Sequence, residues 1–308
     1  MIYHFILNPK SGKRHKLEAM ETAICTICRE RGLDFRIHYT SARGDATVYV
    51  ASMVKLSTER QRFLCVGGDG TLNEIVNSAP SNPNVEFGVI PNGSGNDFVR
   101  NFTNIELFKS IEAQIDGEAV PLDLIKLNDY YCVNMVNIGF DCQVAKAAES
   151  LKNKKLATAK TSYIFGVVAT IFKKFGTNMR LIFDDGEVVE KKFTLTAIGN
   201  GGFCGGGFFA APKSVLNDGL MDICAVDKVS RLTFLRLVGD YKRGRHLENE
   251  KAMRVMSYRR VPHFKMEFDT EISICIDGEI KSASEIDFSV VREGFRFVIP
   301  KGSQIIQK

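Results

Sequence analysis

Three turns in the first hundred residues carry the residue types that handle phosphate: Asn8-Pro9-Lys10-Ser11-Gly12-Lys13, Gly67-Gly68-Asp69-Gly70-Thr71 and Pro91-Asn92-Gly93-Ser94-Gly95-Asn96-Asp97-Phe98. Glycine lets a backbone approach a ligand with no Cβ in the way, and clustered backbone N–H groups bind anions. The first turn lacks the GxxxxGK spacing of a Walker A loop, and a plain turn is the alternative reading. In the second, Thr71 and Glu74 have capping-box spacing, so a helix containing Leu72, Ile75 and Val76 should begin there and aim its positive end at a phosphate. Asp69 is discordant. A carboxylate beside a phosphate repels it unless a divalent cation stands between, so Asp69 implies magnesium held directly or through water, against a solvated aspartate in a tight turn. In the third turn, Ser94 is placed to cap a following helix with Asp97 three residues on. Two such turns after neighbouring strands point to a nucleotide pocket. A fourth turn, Asp277-Gly278-Glu279, sets two carboxylates around a glycine, one for chemistry and one for support; an Asp-Gly hairpin turn is the alternative.

The elements that must position these turns alternate strand and helix. Ile2 to Leu7, Asp34 to Tyr39, Phe63 to Val66 and Phe87 to Ile90 read as strands, with helical spacing at Leu17 to Arg31, around Val50 to Val54, and at Leu72 to Val76. This rhythm predicts a parallel α/β unit with its turns at the C-terminal strand ends, where open sheets bind ligands. After about Leu122 the pattern changes to extended stretches, Tyr131 to Ile138, Met179 to Phe183, Phe193 to Ile198, Met221 to Val226 and Ile272 to Ile276, which predict a β-rich second domain. Phe295 to Ile299 is one more strand.

At 308 residues the chain is long enough for two domains, and 44% hydrophobic with 25% charged residues excludes disordered and collagen-like classes. Lysine and arginine exceed aspartate and glutamate by 41 − 36, or +5, a weak pull toward anionic surfaces. The basic residues thicken at Lys152, Lys154, Lys155 and Lys160, at Lys173 and Lys174, and at Arg243, Arg245, Arg259 and Arg260; solvated faces are the bland explanation. The eight cysteines and a start without basic and apolar signal regions lead us to expect reduced thiols in a cytosol. Cys25 and Cys28 share one helix face and read as core thiols, since no second pair completes a zinc site. The longest apolar run, Tyr163 to Phe172, is too short to span a bilayer.

The ordered set Asn8-Pro9-x-Ser11-Gly12, Gly67-Gly68-Asp69-Gly70-Thr71-x-Asn73-Glu74, Pro91-x-Gly93-Ser94-Gly95-Asn96-Asp97-Phe98, Asn217-Asp218-Gly219-Leu220 and Asp277-Gly278-Glu279 resembles the diacylglycerol kinase catalytic domain family, in its branch of small soluble bacterial lipid kinases. The GGDGT block alone is shared with NAD kinases and 6-phosphofructokinases; the ordered set is the specific part. The resemblance implies an α/β plus all-β fold: a Rossmann-like, NAD-kinase-like nucleotide domain over 1–124, joined by the C-terminal strand from about 291 to 308, and a β-sandwich lipid-substrate domain over 125–290. It implies an ATP- and Mg2+-dependent lipid kinase acting on a lipid hydroxyl, foremost diacylglycerol to give phosphatidic acid. ATP contacts fall on Asn8, Pro9, Lys10, Ser11, Gly12, Thr40, Gly67, Gly68, Asp69, Gly70, Thr71, Leu72, Asn73 and Ser94. Ser94 stands where the family usually has threonine, and Asn92 at a position more often apolar. A structural magnesium site falls on Asp218 and the carbonyls of Val215 and Leu220. The general base falls on Glu279 ahead of Asp277, and Asp123 joins the metal and water network or acts as a hinge residue. The resemblance further implies a cytoplasmic protein that touches the membrane peripherally to reach its lipid, binds no nucleic acid, and forms homodimers as similar proteins do. Three rival expectations remain: a kinase for another lipid, an NAD-kinase-like enzyme for a soluble substrate, and a catalytically silent binding protein.

Overall fold

The structure is a computed structural model that describes residues 1–12, 14–140, 142–144 and 176–306. The chain divides into two compact units, Met1–Leu124 with Arg292–Gln307, and Ile125–Val291. The apolar run Tyr163 to Phe172 and the lysines at 152, 154, 155, 160, 173 and 174 lie outside the described residues.

The first unit runs β1 (Ile2–Leu7), α1 (Arg14–Glu30), β2 (Asp34–Tyr39), α2 (Asp45–Leu56), β3 (Gln61–Gly67), α3 (Asp69–Ser78), β4 (Val85–Pro91), then α4 (Ile111–Ile115). Strands β4, β3, β1 and β2 lie side by side in that order, all parallel. Near the C-terminus Arg296 and Phe297 pair parallel with Glu86 and Phe87 on the other edge of β4. Every residue of β3 is buried, as a central parallel strand covered on both faces requires, whereas β2 alternates between half-buried and exposed at the sheet edge. Helix α1 sets Leu17, Ile24 and Cys28 on Phe5, Leu7, Leu64 and Val66, and Gly32 at φ 62° turns the chain out of it. Cys28 is buried and its thiol is pushed up to about 11 by that burial; Cys25 is only half-buried, so the two thiols are not equivalent. Rings of Phe98, Phe102, Phe108 and Phe297 pack edge and face against one another, each fully buried. Removing one such ring by Phe→Ala typically costs about 3 to 5 kcal/mol.

The second unit contains β5 (Glu118–Leu127, its last residues), β6 (Tyr130–Cys132), β7 (Met135–Gly139), β8 (Thr177–Phe183), β9 (Val188–Gly199), the short β10 (Phe203–Cys204) and β11 (Phe208–Phe209), and β12 (Met221–Asp227). Helices α5 (Arg231–Arg243) and α6 (Glu250–Met253) follow, then β13 (Met256–Val261), β14 (His263–Ile276) and β15 (Glu279–Ile299), whose residues from Arg292 on belong to the first unit. Pairing is antiparallel throughout this unit. β7 and β8 both pair with β9 on one side and β14 on the other, end to end, and β14 bulges between Glu267 and Ile272. One core cluster holds Ile138, Phe193, Ile223, Phe264 and Phe288; another sits under α5 and holds Phe140, Leu195, Val226, Phe234 and Tyr241.

The extended stretch expected from Tyr131 to Ile138 is two strands, β6 and β7, broken at Val133 and Asn134. The break has a physical cause described below. The Gly205-Gly206-Gly207-Phe208-Phe209 stretch is a small hairpin in which Phe203 stacks on Phe209 at 4.3 Å.

Candidate active site

In the first unit, sheet register brings the phosphate-type turns to one edge. Leu7 pairs with Tyr39 and Val66, Val66 with Ile90, and Gly67 with Pro91, so Asn8, Thr40, Gly68 and Asn92 emerge together from the C-terminal strand ends. Thr40 N donates to Leu7 O and Asn8 N to Val66 O, which holds the first residue of two of these turns to the sheet.

The turns are then tied to each other. Asn8 Nδ2 donates to Thr71 Oγ1 at 3.0 Å, linking the first turn to the second. Asn92 Nδ2 donates to Ser11 O at 2.8 Å, linking the third to the first. Asn92 N and Gly93 N both donate to Gly67 O, and Asp69 receives Asp97 N on Oδ2 and Phe98 N on Oδ1, each at 3.0 Å. Asn96, at φ 50°, closes the third turn on itself by accepting from Gly93 N and donating to Gly93 O. Two glycines are dictated by approach rather than by dihedral: a Cβ on Gly93 would lie 2.6 Å from the Gly68 Cα, and one on Gly67 would lie 2.7 Å from Thr71 Oγ1.

Helix α3 begins earlier than the capping-box reading gave. Gly68 is the N-cap without a side-chain bond, Asp69 is the first helical residue, and Thr71 is buried inside the first turn where Asn8 holds its hydroxyl. The first N–H groups of α3, at Asp69 and Gly70, belong to the set that a helix leaves outside its own ladder. Ser94 is exposed and does not cap; the short 3-10 helix Phe98–Asn101 has Asp97 as its N-cap. Pro9 and Lys10 are exposed at the turn tip, with Lys10 N donating to Asn8 Oδ1, while Leu72 is core and Asn73 is half-buried. Lys13 lies outside the described residues.

Sequence reasoning treated Asn92 as a departure and gave Asp97 a capping role only. A Cβ on Gly95 would lie 3.1 Å from Asp69 Oδ2 and 3.6 Å from Asp97 Oδ2, so two carboxylates converge on a position that has no side chain. Asp45 was also missed. Its carboxylate receives Ser41 N at 2.7 Å and Ser41 Oγ at 2.5 Å and meets His38 Nε2 at 2.9 Å, which fixes the chain on both sides of Thr40. The Ser41 bonds hold the Asp45 carboxyl down at about 2.

In the second unit, Asp277 and Gly278 are the two central residues of the β14–β15 hairpin, with Ile276 paired to Glu279 and positive φ at both (48° and 91°), as in a type I′ turn. The buried Asp277 carboxylate accepts from Val133 N (2.7 Å), Asn134 N (3.0 Å), Met135 N (2.9 Å) and Cys132 Sγ (3.2 Å). Those three N–H groups are the ones the ladder lacks between β6 and β7, and they explain the break in that stretch. Burial, and then Asp277, push the Cys132 thiol up. Glu279 opens β15 and is half-buried.

The structural magnesium site expected at Asp218 lies in the second unit. Asp218 Oδ1 accepts from Leu220 N at 3.0 Å, and Oδ2 pairs with Arg260, whose guanidinium also meets Asp222 at 3.2 Å. The charge of Asp218 is thus met by an arginine. Among the described residues no group of three or more His, Cys, Asp and Glu side chains is arranged to hold a metal ion. Asp123 accepts from Glu293 N at 2.9 Å, a bond within the first unit that ties the C-terminal strand to β5.

Comparison with known proteins follows the same division. The diacylglycerol kinase catalytic domain matches residues 3–127, and the YegS C-terminal NAD kinase beta sandwich-like domain matches residues 134–298. A diacylglycerol kinase of Bacillus subtilis is 26% identical over 304 residues, covering 96% of this chain and 95% of its own. The crystal structure of a diacylglycerol kinase from Bacillus anthracis superposes with a TM-score of 0.71 at 21% identity, covering 99% of this chain and 98% of its own. Yeast NADH kinase, with a TM-score of 0.51 at 11% identity over 98% of this chain and 84% of its own, shares the fold.

Proposed function

The chain belongs to the family that joins a diacylglycerol kinase catalytic domain to a YegS C-terminal NAD kinase beta sandwich-like domain, and from that premise we propose that it transfers the γ-phosphate of ATP to a lipid hydroxyl, with diacylglycerol as the first acceptor to test. One observation carries the reading: three turns knotted at a single sheet edge around the start of α3. Such an arrangement is rigid before ligand arrives, so its N–H groups need no reorganisation to meet phosphate oxygens.

ATP enters as its magnesium complex. Asn8 to Gly12 and the Gly67 to Thr71 turn would hold the phosphates; the Asp69 and Asp97 carboxylates beside Gly95 would hold the nucleotide's magnesium, Asp69 through the lone pairs left by its two backbone bonds, and the ion would offset phosphate charge. Thr40 is held in place for the nucleotide by the Asp45 bonds on either side of it. Glu279 takes the proton from the acceptor hydroxyl as its oxygen attacks phosphorus in line with the departing ADP. Asp277 is not assigned that role, because both of its oxygens are committed to backbone N–H groups.

The test is transfer of radiolabel from [γ-32P]ATP, with magnesium, to diacylglycerol, other glycerolipids, sphingoid bases and polyprenols in mixed micelles, with NAD as the soluble competitor. Labelled phosphatidic acid is the expected product. Labelling of NAD with no labelled lipid would overturn the reading in favour of a soluble-substrate kinase, and no labelled product at all would mark a silent binding protein.

A further inference from the structure

Helix α5 has one buried face and one that nothing described covers. Phe234 and Tyr241 point into the core, where they pack with Leu195 and Val226. On the outside, Leu232, Leu235, Arg236, Gly239, Lys242 and Arg243 follow one another at helical spacing, all exposed, and the two leucines are 58% and 54% exposed. Leucines so open on a helix are a liability in water unless they have somewhere to go. The helix is also basic: Arg231, Arg236, Lys242 and Arg243 stand against one acid, Asp240, which accepts from Asn249 at 2.7 Å and faces Arg245 at 3.5 Å. Its ends are fixed, by the Ser230 side chain accepting from Thr233 N at 3.1 Å and by Gly244 in the left-handed conformation at the C-terminus. The face is therefore presented on a rigid element.

We propose that the outer face of α5 is the surface by which this protein docks on an anionic lipid bilayer, with Leu232 and Leu235 entering the interface and Arg236, Lys242 and Arg243 at headgroup level. The choice of occupant rests on the lipid kinase reading and on charge. A second copy packed across a two-fold axis would set this basic stripe against itself, whereas anionic headgroups neutralise it. Long basic side chains reach sideways to phosphates while their stems stay on the apolar level, which suits leucines between them. No helix among the described residues is long and apolar enough to cross a membrane.

The full chain is sedimented with sucrose-loaded vesicles of phosphatidylcholine alone or with one-third phosphatidylglycerol, alongside the variants L232S/L235S and R236E/R243E. Light scattering gives the mass of each protein, circular dichroism its folding, and turnover is measured in detergent micelles. Wild type is expected on the anionic vesicles and to leave them as salt rises. Each double variant is expected to bind about tenfold or more weakly while keeping its mass, its spectrum and its micelle activity. Vesicle binding unchanged in both folded variants, or no binding by wild type, overturns the proposal. A change in mass on substituting the leucines would overturn it in favour of self-association. Loss of the kinase reading shows separately, as absence of turnover in micelles with vesicle binding intact.

Discussion

Asp69 and Asp277 solve the same problem in different units: each spends a carboxylate on the backbone N–H groups of a neighbouring turn that no ladder can satisfy. Asp69 does so for Asp97 and Phe98, Asp277 for Val133, Asn134 and Met135. A charged acceptor is the strong choice for such a site, and its loss leaves buried donors without partners. Glu279, two residues beyond Asp277, opens β15 with its side chain half-buried. The two carboxylates of the Asp-Gly-Glu turn should therefore fail differently. Asp277→Asn turns an NH2 group onto N–H donors and is expected to cost about 2 to 4 kcal/mol in denaturant unfolding. Glu279→Gln is expected to unfold like wild type and to lose turnover by roughly 10² to 10⁴. A stable Asp277→Asn protein that is inactive, beside an active Glu279→Gln protein, would exchange the two roles.

At the scale of elements, the site is made by turns gripping one another, and the closest grip is Gly93 on Gly68. A Cβ at Gly93 would stand 2.6 Å from the Gly68 Cα, and backbone cannot swing aside as a flexible side chain can. Gly93→Ala is expected to push the third turn off the second, to cost about 1 to 3 kcal/mol of stability, and to raise KM for ATP about tenfold with kcat less affected. Steady-state kinetics at saturating lipid measures it, and an unchanged KM would show that ATP does not use this edge. The strands and turns of the first unit were legible in the sequence because they are set locally, by short apolar stretches that end in polar or glycine-rich turns. What was not legible depends on partners far along the chain. The start of α3 was misplaced because the Thr71 hydroxyl accepts from Asn8 Nδ2 instead of capping. The break between β6 and β7 is imposed by Asp277, some 140 residues later, and no periodicity in Tyr131 to Ile138 announces it. The arginine that pairs with Asp218, Arg260, comes from a strand 42 residues on, and nothing in the Asn217-Asp218-Gly219 turn announces it. Asn92 was seen as unusual, yet its purpose, the Ser11 carbonyl, follows only from the sheet order.

Across the whole molecule, one histidine in each unit is sealed away from water, and together they predict how stability responds to acid. His4, fully buried in β1, stacks on Phe63 at 4.4 Å with Nδ1 3.0 Å from Tyr49 Oη; His246, at 1% exposure, lies 5.1 Å from the Tyr241 ring. Burial disfavours the charged ring and brings both down from 6.5 to about 4. The unfolded chain takes up these protons below pH 6.5 while the folded chain refuses them until about pH 4. The contribution is therefore complete above pH 6.5, declines as pH falls between those values, and changes no further below. Asp45, held at about 2, has the opposite ordinary charge but the same direction, and it acts only below about pH 4. The two windows do not overlap, so scanning calorimetry from pH 7.5 to 4.5 reads the histidines alone among these groups. Each is expected to account for a loss of roughly 2 to 3 kcal/mol across that range. H4Q and H246Q start from lower melting temperatures but remove one titrating ring apiece, so each should flatten the pH slope of the unit that carries it, and the double variant should flatten both. Melting temperatures of the double variant that fall with acid as steeply as wild type would mean that other groups drive the acid response.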